Sequence, residues 1–149
     1  MLYYCPIYTE NLDDWTEIAY LDHKVEIVEK KINKVHQSVL MRYGTSTALQ
    51  RTRLNWFEQE TQIDLKSGRK GILFLHENCT LISLKTREKM FAHDSVLGYF
   101  LYEQILKVGK RQDGSAELLF KNGQQFITHQ QYRSVREQYQ LAKLWKEHF

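Results

Sequence analysis

Two short runs of mixed apolar and polar residues, "AELLFK" and "QQFITH", flank Asn122-Gly123, and the helical pattern "QYRSVREQYQLAKLW" follows at once. An Asn-Gly step between strand-like runs specifies a tight hairpin, because both central residues of a type I′ turn need positive φ. The chain must therefore build an antiparallel pair whose second strand feeds a helix spanning residues 131–148. Val135, Tyr139, Leu141, Ala142 and Trp145 recur on or near one face of that helix and should pack inward. The same stretch has a chemical peculiarity. Between Glu117 and Glu137 no acidic residue occurs, only Lys121, Arg133, Arg136, amides, hydroxyls and apolar groups.

Upstream, "LYYCPIY" and "WTEIAYL" read as short strands, with Pro6 suited to an edge. Val28, Ile32, Val35 and Val39 recur at helical spacing, and Gly44 is a natural stop for that helix. "TSTALQRTRLNWF" begins as a helix and then becomes ambiguous. "LKSGRKG" is a loop by its Gly and Ser content. "ILFL" and "TLISLKT" are strands separated by "HEN", and "YFLYEQILKV" reads as one further strand. The sum is a single α+β domain over residues 1–149: a mainly antiparallel sheet with one helix in the N-terminal half and one at the C-terminus.

No apolar run approaches a membrane span, and the N-terminus lacks the basic-then-apolar pattern of a secretion signal. Cys5 and Cys79 are too few for a disulfide framework, so a reduced, cytoplasmic location is expected. The net charge of +3 hides an asymmetry. Residues 1–22 carry Glu10, Asp13, Asp14, Glu17 and Asp22 and no Lys or Arg, which leaves the rest of the chain at about +8. A basic body of that kind suits a polyanion partner, although plain solvation of a fold accounts for such charge as well.

Candidates for catalysis are sparse. His76 and Cys79 in "HENC" have the types needed for a base and a nucleophile, or for two metal ligands. Zinc asks for four ligands, usually as two close pairs, and the sequence offers no second pair. It contains neither a phosphate-cradling P-loop nor a dinucleotide fingerprint. Asp13-Asp14 reads as a solvated turn, and the six histidines as surface or capping groups. No catalytic residue, metal or cofactor is expected.

Three basic loops are more informative. "KSGRKG" supplies Lys66, Arg69 and Lys70 with no acid inside it. "KTREK" supplies Lys85, Arg87 and Lys89 against Glu88, and "GKR" supplies Lys110 and Arg111 close to Asp113. Long cations at strand ends reach out from a rigid support, and glycines such as Gly68 and Gly71 let backbone N–H groups approach a phosphate.

Taken in order, "QSVLMRYGTSTALQRTR", "GRKGILFLHENCTLISLKT", "LGYFLYEQILKV" and "ELLFKNGQQFITHQQYRSVREQYQLAKLW" resemble the competence transcription factor family, ComK. The shared features are the Tyr43-Gly44-Thr45 helix end, an aliphatic strand pair and a Gly-aromatic strand. They continue with the Phe120-x-Asn122-Gly123 hairpin and the helix bearing Ser134 and Gln138. The similarity runs from about Lys30 to Trp145. A strand-Asn-Gly-strand-helix ending also resembles the LytTR type of DNA-binding domain. The sequence departs from the ComK pattern at Lys70-Gly71, where paired prolines are frequent, and at Val39-Leu40, where Ser-Cys is. Longer relatives continue past the last helix, whereas this sequence stops at Phe149.

The resemblance implies a DNA-binding activator of competence genes that reads A/T-rich boxes through the minor groove and phosphates. It also implies a homo-oligomer and an adaptor-protease partner. Narrow A/T minor grooves attract Arg and Lys without a recognition helix. Combined with the basic loops, it nominates Lys66, Arg69, Lys70, Lys85, Arg87, Arg133 and Arg136 as DNA-contacting groups. The alternative is a small α+β protein-interaction or ligand-binding module that has lost DNA binding.

Overall fold

A computed structural model describes residues 1–62 and 71–148. In chain order they form β1 (Tyr3–Tyr8), β2 (Asp14–Ala19), β3 (Val25–Val28), α1 (Ile32–Arg42), α2 (Thr47–Thr61), β4 (Ile72–His76), β5 (Cys79–Lys85) and β6 (Leu97–Leu101). A 3₁₀ turn at Tyr102–Gln104 leads into β7 (Ile105–Lys110), β8 (Ser115–Phe120), β9 (Gln125–Gln131) and α3 (Tyr132–His148). The first six strands make one antiparallel sheet in the order β3-β2-β1-β6-β5-β4. The last three make a second sheet, β7-β8-β9. The fold is α+β, with helices segregated from two antiparallel sheets.

One face of the large sheet packs on α1 through Tyr4, Ile32, Val35, Leu40 and Leu81. Its other face meets the small sheet and α3 through Tyr3, Ile82, Phe100, Phe120, Val135 and Trp145. Val135, Ala142 and Trp145 are fully buried and Tyr139 is half-buried, so α3 presents the expected face inward. No helix among the described residues is long and apolar enough to cross a membrane.

Three local readings change. Val28 belongs to β3 rather than to the first helix, which begins at Ile32; the apparent periodicity crosses a strand–helix junction. "YFLYEQILKV" is not one strand, because the 3₁₀ turn breaks it and hands the chain from one sheet to the other. Pro6 lies in an interior strand, but the β1–β6 ladder covers only Tyr3 and Tyr4. The missing N–H of Pro6 therefore falls where no partner strand asks for it.

The Asn122-Gly123 hairpin exists, but not as a type I′ turn. Gly123 has φ +90° while Asn122 keeps a negative φ. Gly123 N–H donates to Phe120 O at 3.0 Å and Phe120 N–H to Gln124 O at 2.9 Å. This is a three-residue loop, a type I turn followed by one left-handed residue at a bulge. The Asn122 Oδ1 accepts the Gln124 N–H at 3.0 Å and fixes the turn. Three other hairpins repeat the pattern, with Leu12 (φ 61°), His23 (φ 70°) and Gly114 (φ 87°) at the left-handed position.

Leucine and histidine sit at that position only against strain, whereas glycine does not. Gly123→Val should lower stability by about 1–3 kcal/mol. Leu12→Gly should raise it by up to about 1 kcal/mol, since relief of strain is partly offset by the greater freedom of glycine in the unfolded chain. Urea denaturation midpoints of the two variants against the parent check both signs.

Candidate nucleic-acid interface

The shoulder from β8 to α3 is held by buried amides. At the end of β9, Gln130 accepts the Lys85 N–H at 2.8 Å and donates to Ser134 Oγ at 2.8 Å and to Gln138 Oε1 at 2.7 Å. Gln138 is 4 % exposed and donates to Ser83 O at 2.9 Å. The ends of β5 and β9 and the first turns of α3 thus meet at one polar junction. Gly71 joins it as well. A Cβ there would lie 2.2 Å from Ser83 Oγ and 2.7 Å from Gln138 Nε2. The glycine serves close packing inside the fold, not a phosphate approach as its sequence context suggested.

Lys66, Arg69 and Lys70 lie outside the described residues. Arg133 and Arg136 are exposed on α3, as their positions off the apolar face require. Arg133 lies 3.5 Å from Glu137, but its side chain is 92 % exposed, so that pair contributes little to stability. Gln140 and Lys143 are exposed as well, and with the two arginines they follow an i, i+3, i+7, i+10 stripe. That stripe spans roughly 15 Å of helix. Glu137 flanks it beside Arg133, and Glu147 continues it toward the C-terminal end of the helix. Sequence reading missed Gln140 and Lys143, although the heptad spacing of polar positions was available to find them.

The "KTREK" loop behaves differently. Lys85 pairs with Glu88 at 3.0 Å. Arg87 is only 8 % exposed. Its Nη2 donates to Asp14 Oδ1 at 2.7 Å, its Nε donates to Ser95 O at 2.9 Å, and its guanidinium stacks 3.9 Å above the Tyr8 ring. Nominated as a DNA contact, Arg87 is instead enclosed by the fold. The Asp13-Asp14 turn is not merely solvated either, since Asp14 is the counter-ion that neutralises Arg87. In the third loop, Arg111 lies 3.8 Å from Glu117. Of the cations nominated by sequence within the described residues, Arg133 and Arg136 are the ones displayed together on one element.

The exposed amides also separate into two groups. Asn122 Nδ2 donates to Gln124 Oε1 at 2.6 Å and to Leu21 O at 3.2 Å, so both amides serve the hairpin. Gln125, His129 and Gln131 point outward along β9. They lead directly into the α3 stripe.

His76 stands opposite Cys79 in the β4–β5 hairpin, and the Cys79 thiol shares a hydrogen bond with Tyr43. His76 is exposed at the end of β4, and burial pushes the Cys79 thiol above its ordinary range, which disfavours a thiolate nucleophile. Burial, reinforced by Glu17, raises the Cys5 thiol to about 12. Groups of His, Cys, Asp and Glu able to hold a metal ion are absent among the described residues.

His36 is not a surface histidine. It stacks on Tyr99 at 3.9 Å with an 8° interplanar angle, and its Nδ1 shares a 2.7 Å hydrogen bond with the buried Tyr4 hydroxyl. Burial brings its pKa down to about 4.

Comparison of the chain with protein-family models, with curated proteins and with solved structures returned no match.

Two outcomes follow from this chemistry. Arg87→Ala leaves the Asp14 carboxylate, 12 % exposed, without its partner. Stability should fall by about 3–5 kcal/mol, read from chemical denaturation. A DNA-contacting arginine on an exposed loop would give almost no change in that measurement. For His36 the folded state favours the neutral ring, whereas the unfolded chain takes up a proton near its ordinary value. Its contribution is therefore complete above about pH 6.5 and lost as the pH falls toward about 4. Melting temperatures measured over that range should fall less steeply for His36→Phe than for the parent.

Proposed function

We propose that the chain is a sequence-selective DNA-binding transcriptional activator of the competence type. It takes A/T-rich duplex through phosphate and minor-groove contacts and works as an assembly of more than one copy. The reading is supported above all by the stripe of Arg133, Arg136, Gln140 and Lys143 displayed on the exposed side of α3. A cationic stripe of that kind can meet phosphates and release condensed counterions. The β9 amides and the absence of acid in the first turn of α3 extend the same surface. Arg87 is left out of it, because its guanidinium is already engaged. Lys85 stands at its margin through the backbone contact to Gln130. Cytoplasmic location and an adaptor-protease partner belong to the same proposal.

A second reading is a protein-interaction or ligand-binding module without DNA affinity. It is favoured by the neutralisation of the "KTREK" loop, where Asp14 of the acidic N-terminal segment pairs with Arg87 and Glu88 of the loop itself pairs with Lys85.

Anisotropy titration with an A/T-rich duplex, competed by a G/C-rich one across a salt series, separates the two readings. The regulator gives a steep dependence of log K on log salt, at about 0.9 per neutralised phosphate. An Arg133→Ala, Arg136→Ala double variant should lose about two units of slope while staying folded. A Lys66, Arg69, Lys70 triple-alanine variant should lose roughly two to three units. Parental affinity and slope in both variants would overturn the reading, and the absence of any binding by the parent would favour the module.

A further inference from the structure

The large sheet treats its two edges differently. At the β4 edge, Gln50 is 2 % exposed and acts as a short surrogate strand. Its Nε2 donates to Phe74 O at 2.9 Å and its Oε1 accepts the Phe74 N–H at 3.0 Å. Arg53 adds a donor to the same carbonyl at 3.1 Å. Among the described residues the opposite edge, β3, pairs only with β2, and Val25, Glu26 and Ile27 are exposed. Val25 is 52 % and Ile27 44 % exposed.

The hydrogen-bond register says which backbone groups face out. Tyr20 N–H donates to Lys24 O, and Ile18 pairs with Glu26 and Thr16 with Val28. Antiparallel ladders alternate bonded and non-bonded pairs, so Lys24, Glu26 and Val28 point their backbone groups at β2. Val25 and Ile27 point theirs outward. An exposed row of this kind is a ready template for another strand.

We propose that β3 is a homodimerisation edge, at which two copies pair antiparallel about a twofold axis at Glu26. Such an axis runs perpendicular to the sheet and keeps every side chain on its own face. Only registers that set a residue against one of the same parity are then possible. Centred on Glu26, the pairing sets Val25 against Ile27 of the second copy, twice. All four outward N–H and C=O groups of Val25 and Ile27 find partners, and the exposed apolar side chains cover one another. On the other face, Glu26 stands opposite its own copy on the axis, with Lys24 of each chain diagonal to it and opposite Val28. Centred on Ile27, the pairing would set Val25 against Glu29 and Lys24 against Lys30. Centred on Val25, it would set Ile27 against the turn residue His23 (φ 70°), so both exposed apolar side chains are covered in the Glu26 register and in neither neighbour. The inference stands on the edge strand alone and holds whether or not the chain binds DNA.

A four-residue edge makes a small interface, so the dimer belongs in the micromolar range. Light scattering without DNA should show the parent passing from one to two chains between about 1 and 100 µM. Ile27→Lys places a charge in the centre of the apolar pair, and it should raise the dissociation constant tenfold or more while circular dichroism stays parental. Glu26→Cys brings two thiols face to face across the axis, and mild oxidation should give a covalent dimer far faster than Glu60→Cys on the outer face of α2. If Ile27→Lys fails to fold, the cross-linking comparison decides alone. A single-chain mass throughout that range, or Glu26→Cys cross-linking no faster than Glu60→Cys, overturns the proposal.

Discussion

The ring of Tyr3 sits 5.4 Å from Phe100 in its own sheet and 6.1 and 5.0 Å from Phe120 and Phe126 in the other. Phe100 in turn meets Phe126 edge-on at 4.8 Å. A three-stranded sheet depends on an apolar face packed against a partner, and this aromatic layer gives β7-β8-β9 a surface on which to set its register. Each pair contributes about 0.5–1.5 kcal/mol beyond the area it buries. Once the small sheet is docked, β9 delivers the chain to α3, and Trp145 can reach Phe57 at 5.0 Å. The position of the basic helix is therefore a consequence of apolar packing on its other side.

Beside that layer lies a polar junction of Gln130, Gln138, Ser83 and Gly71, which changes how the family-like pattern is to be understood. Asn122 and Gly123 make a bulged turn, Gly44 has φ +67° at the end of α1, and Ser134 and Gln138 hold α3 against β5. All of these residues serve the architecture. A buried amide that loses its partner costs about 1–3 kcal/mol, which is reason enough for such residues to matter with no ligand present. The pattern speaks first about fold. Any claim on DNA rests on residues outside it, the exposed Arg133, Arg136, Gln140 and Lys143, which packing leaves free to vary.

Much of the second half was legible in the sequence because its signals are local. Alternation defines β8 and β9, a glycine marks the turn between them, and the apolar spacing of Val135, Ala142 and Trp145 defines the buried face of α3. What was hidden depends on distant partners. Nothing near Arg87 in the sequence announces Asp14, 73 residues away, or the ring of Tyr8 beneath the guanidinium. Gly71 looked like loop chemistry because Ser83 and Gln138 come to it only in three dimensions. The break at Tyr102 was invisible for a similar reason, since an apolar run gives no sign that its two halves serve different sheets. His36 looked like any surface histidine until Tyr4 and Tyr99 closed on it.

Charge shows the same division between what composition reveals and what folding decides. The net charge of +3 is small, and a uniform distribution would give no polyanion surface. Folding does not distribute it uniformly. Asp14 of the acidic N-terminal segment meets Arg87 at 2.7 Å and Glu88 meets Lys85 at 3.0 Å, so two of the three cations of the "KTREK" loop are neutralised at close range. Paired charges a few ångströms apart leave little field beyond a Debye length of about 8 Å. The α3 stripe has no such counterweight apart from Glu137, which the exposed Arg133 holds loosely at 3.5 Å. An approaching polyanion would feel that helix before it felt the "KTREK" loop, although that loop contains the denser run of cations in sequence. Local density of Lys and Arg is thus a poor guide to a binding surface when the fold is free to bring the acids to them.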